Sequence, residues 1–311
     1  MYDTINFKLT AIDVSDVDFI EETPCYLNDV ALHYYGGEPV VTGSIDGLKV
    51  TANKWQVKVK DGSLCKWFLG DNFQSLGRGT TQQAIEMLSD TLHLPMDRAT
   101  ITRLDIGANI ITEYPPATYF NHLGFLAHAS RLLQPTGLYY SKRDEVLCFY
   151  DKAREWKANN ELVPQLYRGR YVLRYEQRYL HRLPSRLKVP SVTGALLYDE
   201  GFYIELLKRY VEVYKAIGKI NDLQPNFDHM KGKKELKEMA LLCLIERLGG
   251  EVEFINQIKD AQQRGELTNK QAHDLRNGIK QACKTKAGIV VPNKQITELD
   301  KKVGEVIRFY R

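Results

Sequence analysis

A chain of 311 residues with 43% hydrophobic and 26% charged side chains has an ordinary globular composition, long enough for one large domain or two. No apolar run approaches the length of a membrane span, and residues 1–8 lack the basic region and apolar stretch of a secretory signal, so the reading is cytoplasmic. Net charge is only +4, which by itself points to no partner.

The first hundred residues read as mixed α and β. Residues 38–60 hold alternating runs broken by turn residues, the pattern of a hairpin or meander. Residues 69–79 are glycine-rich but match no phosphate loop, and read as a turn. Residues 80–92 read as a helix, with Ala84, Ile85, Leu88 and Leu92 at helical spacing after a start at Thr81. A strand over 101–110 follows. Pro115 and Pro116 mark a loop, and a second helix is expected over 118–133. Pro135-Thr-Gly is a turn into a hairpin whose second strand covers 144–152. Residues 151–164 are polar and read as a loop or short helix, and a third strand covers 171–179. Helical stretches follow at 202–217, 234–248, 251–264 and 268–283. The tail holds Ile289-Val-Val-Pro and a last amphipathic stretch at 296–310. The expected organisation is an α+β unit over 1–218 and a mainly helical module over 219–311.

The three strands carry the chemistry. Successive side chains on a strand point to opposite faces. In the first, Leu104, Ile106, Ala108 and Ile110 form the apolar face, which leaves Arg103, Asp105 and Asn109 on the other. In the second, Leu147 and Phe149 face inward, so Tyr150 and Lys152 share the opposite face. In the third, Tyr171, Leu173, Tyr175 and Tyr179 alternate with Arg174, Glu176 and Arg178, continuing to Arg182. A sheet aligning Asp105, Tyr150, Lys152 and Glu176 brings together two carboxylates, a phenol and an amine. That set suits metal-assisted phosphoryl transfer through a tyrosine. Carboxylate oxygens suit Mg²⁺ or Mn²⁺, and a neighbouring cation such as Lys152 is expected to lower the phenol pKa.

Other chemistries are poorly signalled. The five cysteines are scattered and form no Cys-x-x-Cys, and the seven histidines form no paired metal motif. From Arg168 to Lys188 there are seven Lys or Arg residues and one acid, Glu176. Such a stretch can neutralise phosphates, or simply be a solvated basic face.

The ordered set Gly62-Ser-Leu-Cys-Lys, Leu69-Gly-Asp-Asn-Phe, Thr102-Arg-Leu-Asp-Ile-Gly, Cys148-Phe-Tyr-Asp-Lys and Leu173-Arg-Tyr-Glu-Gln-Arg resembles the gene II/X family of phage and plasmid replication proteins, over roughly residues 40–215. The resemblance implies an antiparallel-sheet replication-initiator or relaxase-like core with helices on one face. It implies a rolling-circle initiator that nicks and rejoins one DNA strand through a 5′-phosphotyrosyl intermediate. Tyr150 falls on the nucleophile and Lys152 on the motif lysine, with Tyr139 and Tyr140 as alternative nucleophiles. Asp105 and Glu176 fall on the acidic positions that hold Mg²⁺ or Mn²⁺. Arg103, Arg174, Arg178 and Arg182 are expected to meet DNA. Implied partners are origin DNA, single-stranded or hairpin, and a host replicative helicase and polymerase in the bacterial cytoplasm; a homodimer is possible. Rival readings are a non-catalytic origin-binding or copy-control protein, a mobilisation relaxase using the same chemistry, and an RNA-binding or structural protein with a basic sheet.

Overall fold

The computed structural model describes residues 1–15, 17–220, 223, 227–228, 230–284 and 293–310. Ten strands form one sheet: β1 (Tyr2–Thr10), β2 (Asn28–Tyr35), β3 (Glu38–Ile45), β4 (Leu48–Asn53), β5 (Gln56–Lys60), β6 (Thr100–Thr112), β7 (Ser130–Gln134), β8 (Gly137–Ser141), β9 (Glu145–Asp151) and β10 (Tyr171–Tyr179). Their order is β2-β3-β4-β5-β1-β6-β10-β9-β8-β7, and the neighbours pair antiparallel. The expected meander over 38–60 is β3, β4 and β5. Its first turn, Asp46-Gly47, has positive φ at both residues (43° and 93°), which matches the twist of a two-residue hairpin.

The helices are α1 (Leu64–Leu69), α2 (Arg78–Leu92), α3 (Pro116–Phe120), α4 (Lys152–Ala158), α5 (Leu183–Leu187), α6 (Glu200–Lys215), α7 (Lys233–Arg247), α8 (Glu251–Gln263), α9 (Asn269–Lys284) and α10 (Lys294–Tyr310). The class is α+β, as expected. Helix α6 lies against the apolar face of the central strands. Phe149 stacks on Tyr175 with centroids 4.5 Å apart, and Tyr175 meets Tyr210 at 4.4 Å. The Tyr175 hydroxyl donates to the Tyr210 carbonyl and the Tyr210 hydroxyl to that of Tyr175, at 3.2 and 2.8 Å. Each aromatic pair adds ~1 kcal/mol beyond its buried area. This stack fixes β9 and β10 against α6, so their opposite face is held rigidly. The short α4 packs on that opposite face, where Trp156 meets Phe73 and Val172.

Three expectations need correction. The helix expected over 118–133 is only α3, and residues 130–134 are the edge strand β7, paired with β8. The intervening chain is clamped instead to residues far along the sequence: Gly124 N–H donates to the Gly218 carbonyl at 2.8 Å and Gly218 N–H to that of Phe125 at 2.7 Å. Lys152 is not on β9. Asp151 caps α4 by accepting from Arg154 N–H at 3.1 Å, so the strand ends there and Lys152 opens the helix. The segment 219–311 does not share one core. Helices α7, α8 and α9 gather Leu242, Ile245, Ile258, Ala272, Ile279 and Ala282. Helix α10 returns to the main core through Ile296, Leu299, Val303 and Val306. The Tyr214 hydroxyl fixes it by donating to Asp300 at 2.7 Å. The Ile289-Val-Val-Pro stretch lies outside the described residues. Among the described residues no helix is long and apolar enough to cross a membrane.

Candidate active site

Pairing register arranges the polar face of β8, β9, β10 and β6 in three rows. One row runs Gly137, Tyr150, Arg174, Asn109. The next runs Tyr139, Cys148, Glu176, Gly107, and the third Ser141, Val146, Arg178, Asp105. Residues directly opposite on adjacent strands share a face, so the register alone brings Asp105, Glu176 and Tyr150 together. Tyr139 joins them. Tyr140 does not: it faces the core, buried, with its hydroxyl against the Leu123 and Gly124 carbonyls at 2.9 and 2.7 Å.

Small side chains flank Glu176 in its row and leave it room. A Cβ on Gly107 would stand 2.9 Å from the Tyr175 carbonyl oxygen and 3.1 Å from Arg174 Nε, so glycine lets the guanidinium lie on the sheet. A Cβ on Gly137 would stand 3.2 Å from the Tyr139 hydroxyl, so Tyr139 leans over Gly137 toward Tyr150.

The Tyr150 hydroxyl donates to Oε2 of Glu176 at 3.3 Å. Arg178 Nη2 donates to the same oxygen at 3.2 Å, and its Nε lies 4.0 Å from Oδ2 of Asp105. Arg103 holds Asp105 by two parallel bonds, Nε to Oδ1 at 3.0 Å and Nη2 to Oδ2 at 2.6 Å. Asp105 and Glu176 are nearly inaccessible, at 1% and 3% exposure, although Arg103 and Arg178 reach solvent. Burial raises the Asp105 carboxyl to about 6; Arg103 pulls it down and Glu176 pushes it up. Burial, reinforced by Glu176, also drives the Tyr150 phenol well above its ordinary value. Tyr139 is raised too, chiefly by burial. Cys148 is pushed up to about 12 by burial and is an inert thiol.

The expected activation of Tyr150 by Lys152 is not seen. Lys152 Nζ lies 5.9 Å from the Tyr150 ring centroid and pairs with Glu155 at 2.7 Å. Two of the four expected DNA-contacting arginines are also committed elsewhere. Arg174 is buried and donates to Asp3 at 2.7 Å, Asn109 at 3.2 Å and Ser75 at 3.3 Å, so it ties β10 across β6 to β1 on the same face as Tyr150. Arg182 lies past the end of β10 with positive φ and, with Arg186, clamps Asp144. These two guanidinium groups hold the Asp144 carboxyl at about 2. Arg103 and Arg178 remain on the open side. The Nε–H of Arg178 has no hydrogen-bond partner among the described residues; it is itself buried and lies 4.0 Å from the Asp105 carboxylate.

Asp3 and Ser75 escaped the sequence reading. Asp3 lies on β1 and accepts from Arg174 and from the Ser63 hydroxyl. The alternation Ile5, Phe7, Leu9 was the available signal for that strand.

Among the described residues no three His, Cys, Asp or Glu side chains gather at one point. Asp105 and Glu176 therefore offer two carboxylates. Both oxygens of Asp105 accept from Arg103, and Oε2 of Glu176 accepts from Tyr150 and Arg178, so a hard cation such as Mg²⁺, which commonly takes one or two carboxylates with water and phosphate, would have to share them with these arginines. The model of the Phage CRI family, described as the N-terminal part of a gene II-type replication-associated protein, matches residues 1–203, which include all three motif strands. No curated protein matches the chain.

Proposed function

The chain belongs to the Phage CRI family of replication-associated proteins, and from that premise we propose that it initiates rolling-circle replication by nicking and rejoining one DNA strand through Tyr150. The observation that carries this reading is the Tyr150–Glu176 hydrogen bond on the face that also holds Asp105 and Arg178.

The Tyr150 oxygen attacks the scissile phosphorus. A phosphotyrosyl ester forms at the 5′ side as the bond to the 3′ oxygen breaks. The phenol proton passes to Glu176, its hydrogen-bond acceptor. The 3′ oxygen leaves, takes a proton from solvent, and is a primer end for a polymerase. Arg178, whose side chain is part-exposed, offers its guanidinium charge to the phosphate, while Arg103 keeps Asp105 oriented. Asp105 and Glu176 would hold Mg²⁺ or Mn²⁺, whose chemistry is to polarise the phosphoryl oxygens and offset their growing charge. Burial holds the Tyr150 phenol protonated, so attack depends on transfer of its proton to Glu176. Reversal of the same steps rejoins the strand without ATP, because the ester conserves the phosphodiester energy. Origin DNA is then the partner, and a host helicase and polymerase act on the product.

The test is a covalent-adduct assay on supercoiled DNA of the protein's own genetic element, with Mg²⁺ or Mn²⁺ and with chelator. A nicked product with a protein-linked 5′ end is expected, lost in Tyr150→Phe and in chelator. Loss in Tyr139→Phe instead would keep the activity and move the nucleophile one strand over. Tight binding with no adduct would leave a non-catalytic origin binder.

A further inference from the structure

The site face continues along β6 into a cleft of about 690 Å³ walled by the end of that strand, residues 71–75, residues 164–170 and the last turns of α10. This volume lies in the range of small-ligand sites. Its α10 wall lies outside the residues matched by the family. We propose that this cleft receives an unstacked base of the single strand whose phosphate is held at Tyr150. The proposal rests on the nicking reading for the strand's position and on the cleft itself for the base.

Three observations carry it. First, the walls are aromatic and pre-positioned. The Tyr167 ring lies 6.2 Å from Phe73 at 23°, and its hydroxyl donates to the Phe73 carbonyl at 3.3 Å. On the α10 side Phe309 is 80% exposed, a large ring left in water at the mouth. Aromatic rings at this kind of site take bases by stacking, with little regard to sequence. Second, Gln74 and Asp71 line the cleft with groups of the kind that read base edges, Asp71 using Oδ1 to accept from Phe73 N–H at 2.9 Å, and exposed Arg170 lines it with a charge suited to a phosphate. Third, the cleft is at the right distance. Asn109, in its wall, shares a row with Arg174 and Tyr150, two strand spacings or about 10 Å away. That is about three nucleotides at the duplex rise, and fewer in an extended strand. Because Arg174 bonds Asn109 and Ser75, the cleft floor and the Tyr150 row move as one piece.

The experiment compares the full chain with Phe309→Ala and Tyr167→Ala in binding two probes, an oligo-dT and an abasic deoxyribose-phosphate oligomer of equal length. Phe309 is exposed, so its replacement leaves folding intact, checked by thermal melting. The expected result is a loss of about 5- to 150-fold in oligo-dT affinity for either variant, with abasic binding unchanged. Oligo-dT affinity unchanged in Phe309→Ala, or both probes weakened equally, overturns the cleft assignment. The adduct assay is read separately. If wild type forms no adduct yet the base-dependent loss is seen, the nicking reading fails and the cleft stands as a base site.

Discussion

Tyr150 and Glu176 lie diagonally across β9 and β10, and the phenol of one donates to the carboxylate of the other at 3.3 Å. The pair is a proton donor and acceptor set in a sheet whose other face is locked to α6 by a buried aromatic stack. The geometry of this pair therefore depends on register, and register on the core.

Glu176→Gln keeps the shape and removes the proton acceptor and the charge. Single-turnover cleavage should fall by about 10²–10⁴-fold, the range for loss of a general base, while thermal stability changes little. Nicking at the wild-type rate would remove Glu176 from the chemistry.

Asp105 ties stability to pH with an unusual sign. Its carboxyl stands at about 6 in the fold, above its ordinary value, so the fold favours the protonated form. Below the unfolded pKa both states are protonated and the penalty is absent. As pH rises from there through about 6, the folded state must ionise a buried group and loses up to ~3 kcal/mol from this residue. In chelator, Asp105→Asn should therefore flatten the pH dependence of unfolding between about 4 and 6 and leave the protein at least as stable at neutral pH. The proposed mechanism makes this carboxylate a cation ligand, so on that reading the same variant should form no adduct. Denaturant titrations across that pH window check the first part, and the adduct assay the second.

Arg174→Ala tests the brace. Removing one partner of a buried ion pair leaves Asp3 uncompensated and should cost about 3–5 kcal/mol in denaturant unfolding. A change below about 1 kcal/mol would mean that the guanidinium is not what holds β1 to β10.

Tyr140→Phe separates the two tyrosines of β8. Its hydroxyl serves the core at Leu123 and Gly124, so the variant should lose about 1–2 kcal/mol of stability and keep full nicking. Loss of the adduct in a still-folded Tyr140→Phe would contradict its placement on the core face.

Much of this was legible in the chain. Period-two alternation in 101–110 and 171–179 gave β6 and β10, and the side of each strand on which the charges fall, because pleating sends neighbours to opposite faces. Helical spacing gave α2 and α6 to α10 nearly to their ends. The long-range terms were not legible. Whether Tyr139 or Tyr140 faces Tyr150 depends on a one-residue register, set where Gly137 meets Tyr150 across the hairpin. The arginines read alike in sequence, yet Arg174 is buried on Asp3, a residue 171 positions away, and Arg182 is taken by Asp144.

By itself the sequence determined the local periods, and with them which side chains can share a face. Only the tertiary structure decided which strands are neighbours, which charges neutralise each other, and that α10 folds back to wall a cleft beside β6. Alternation is a property of adjacent residues, whereas pairing and burial are settled between segments that the chain brings together only when the core closes.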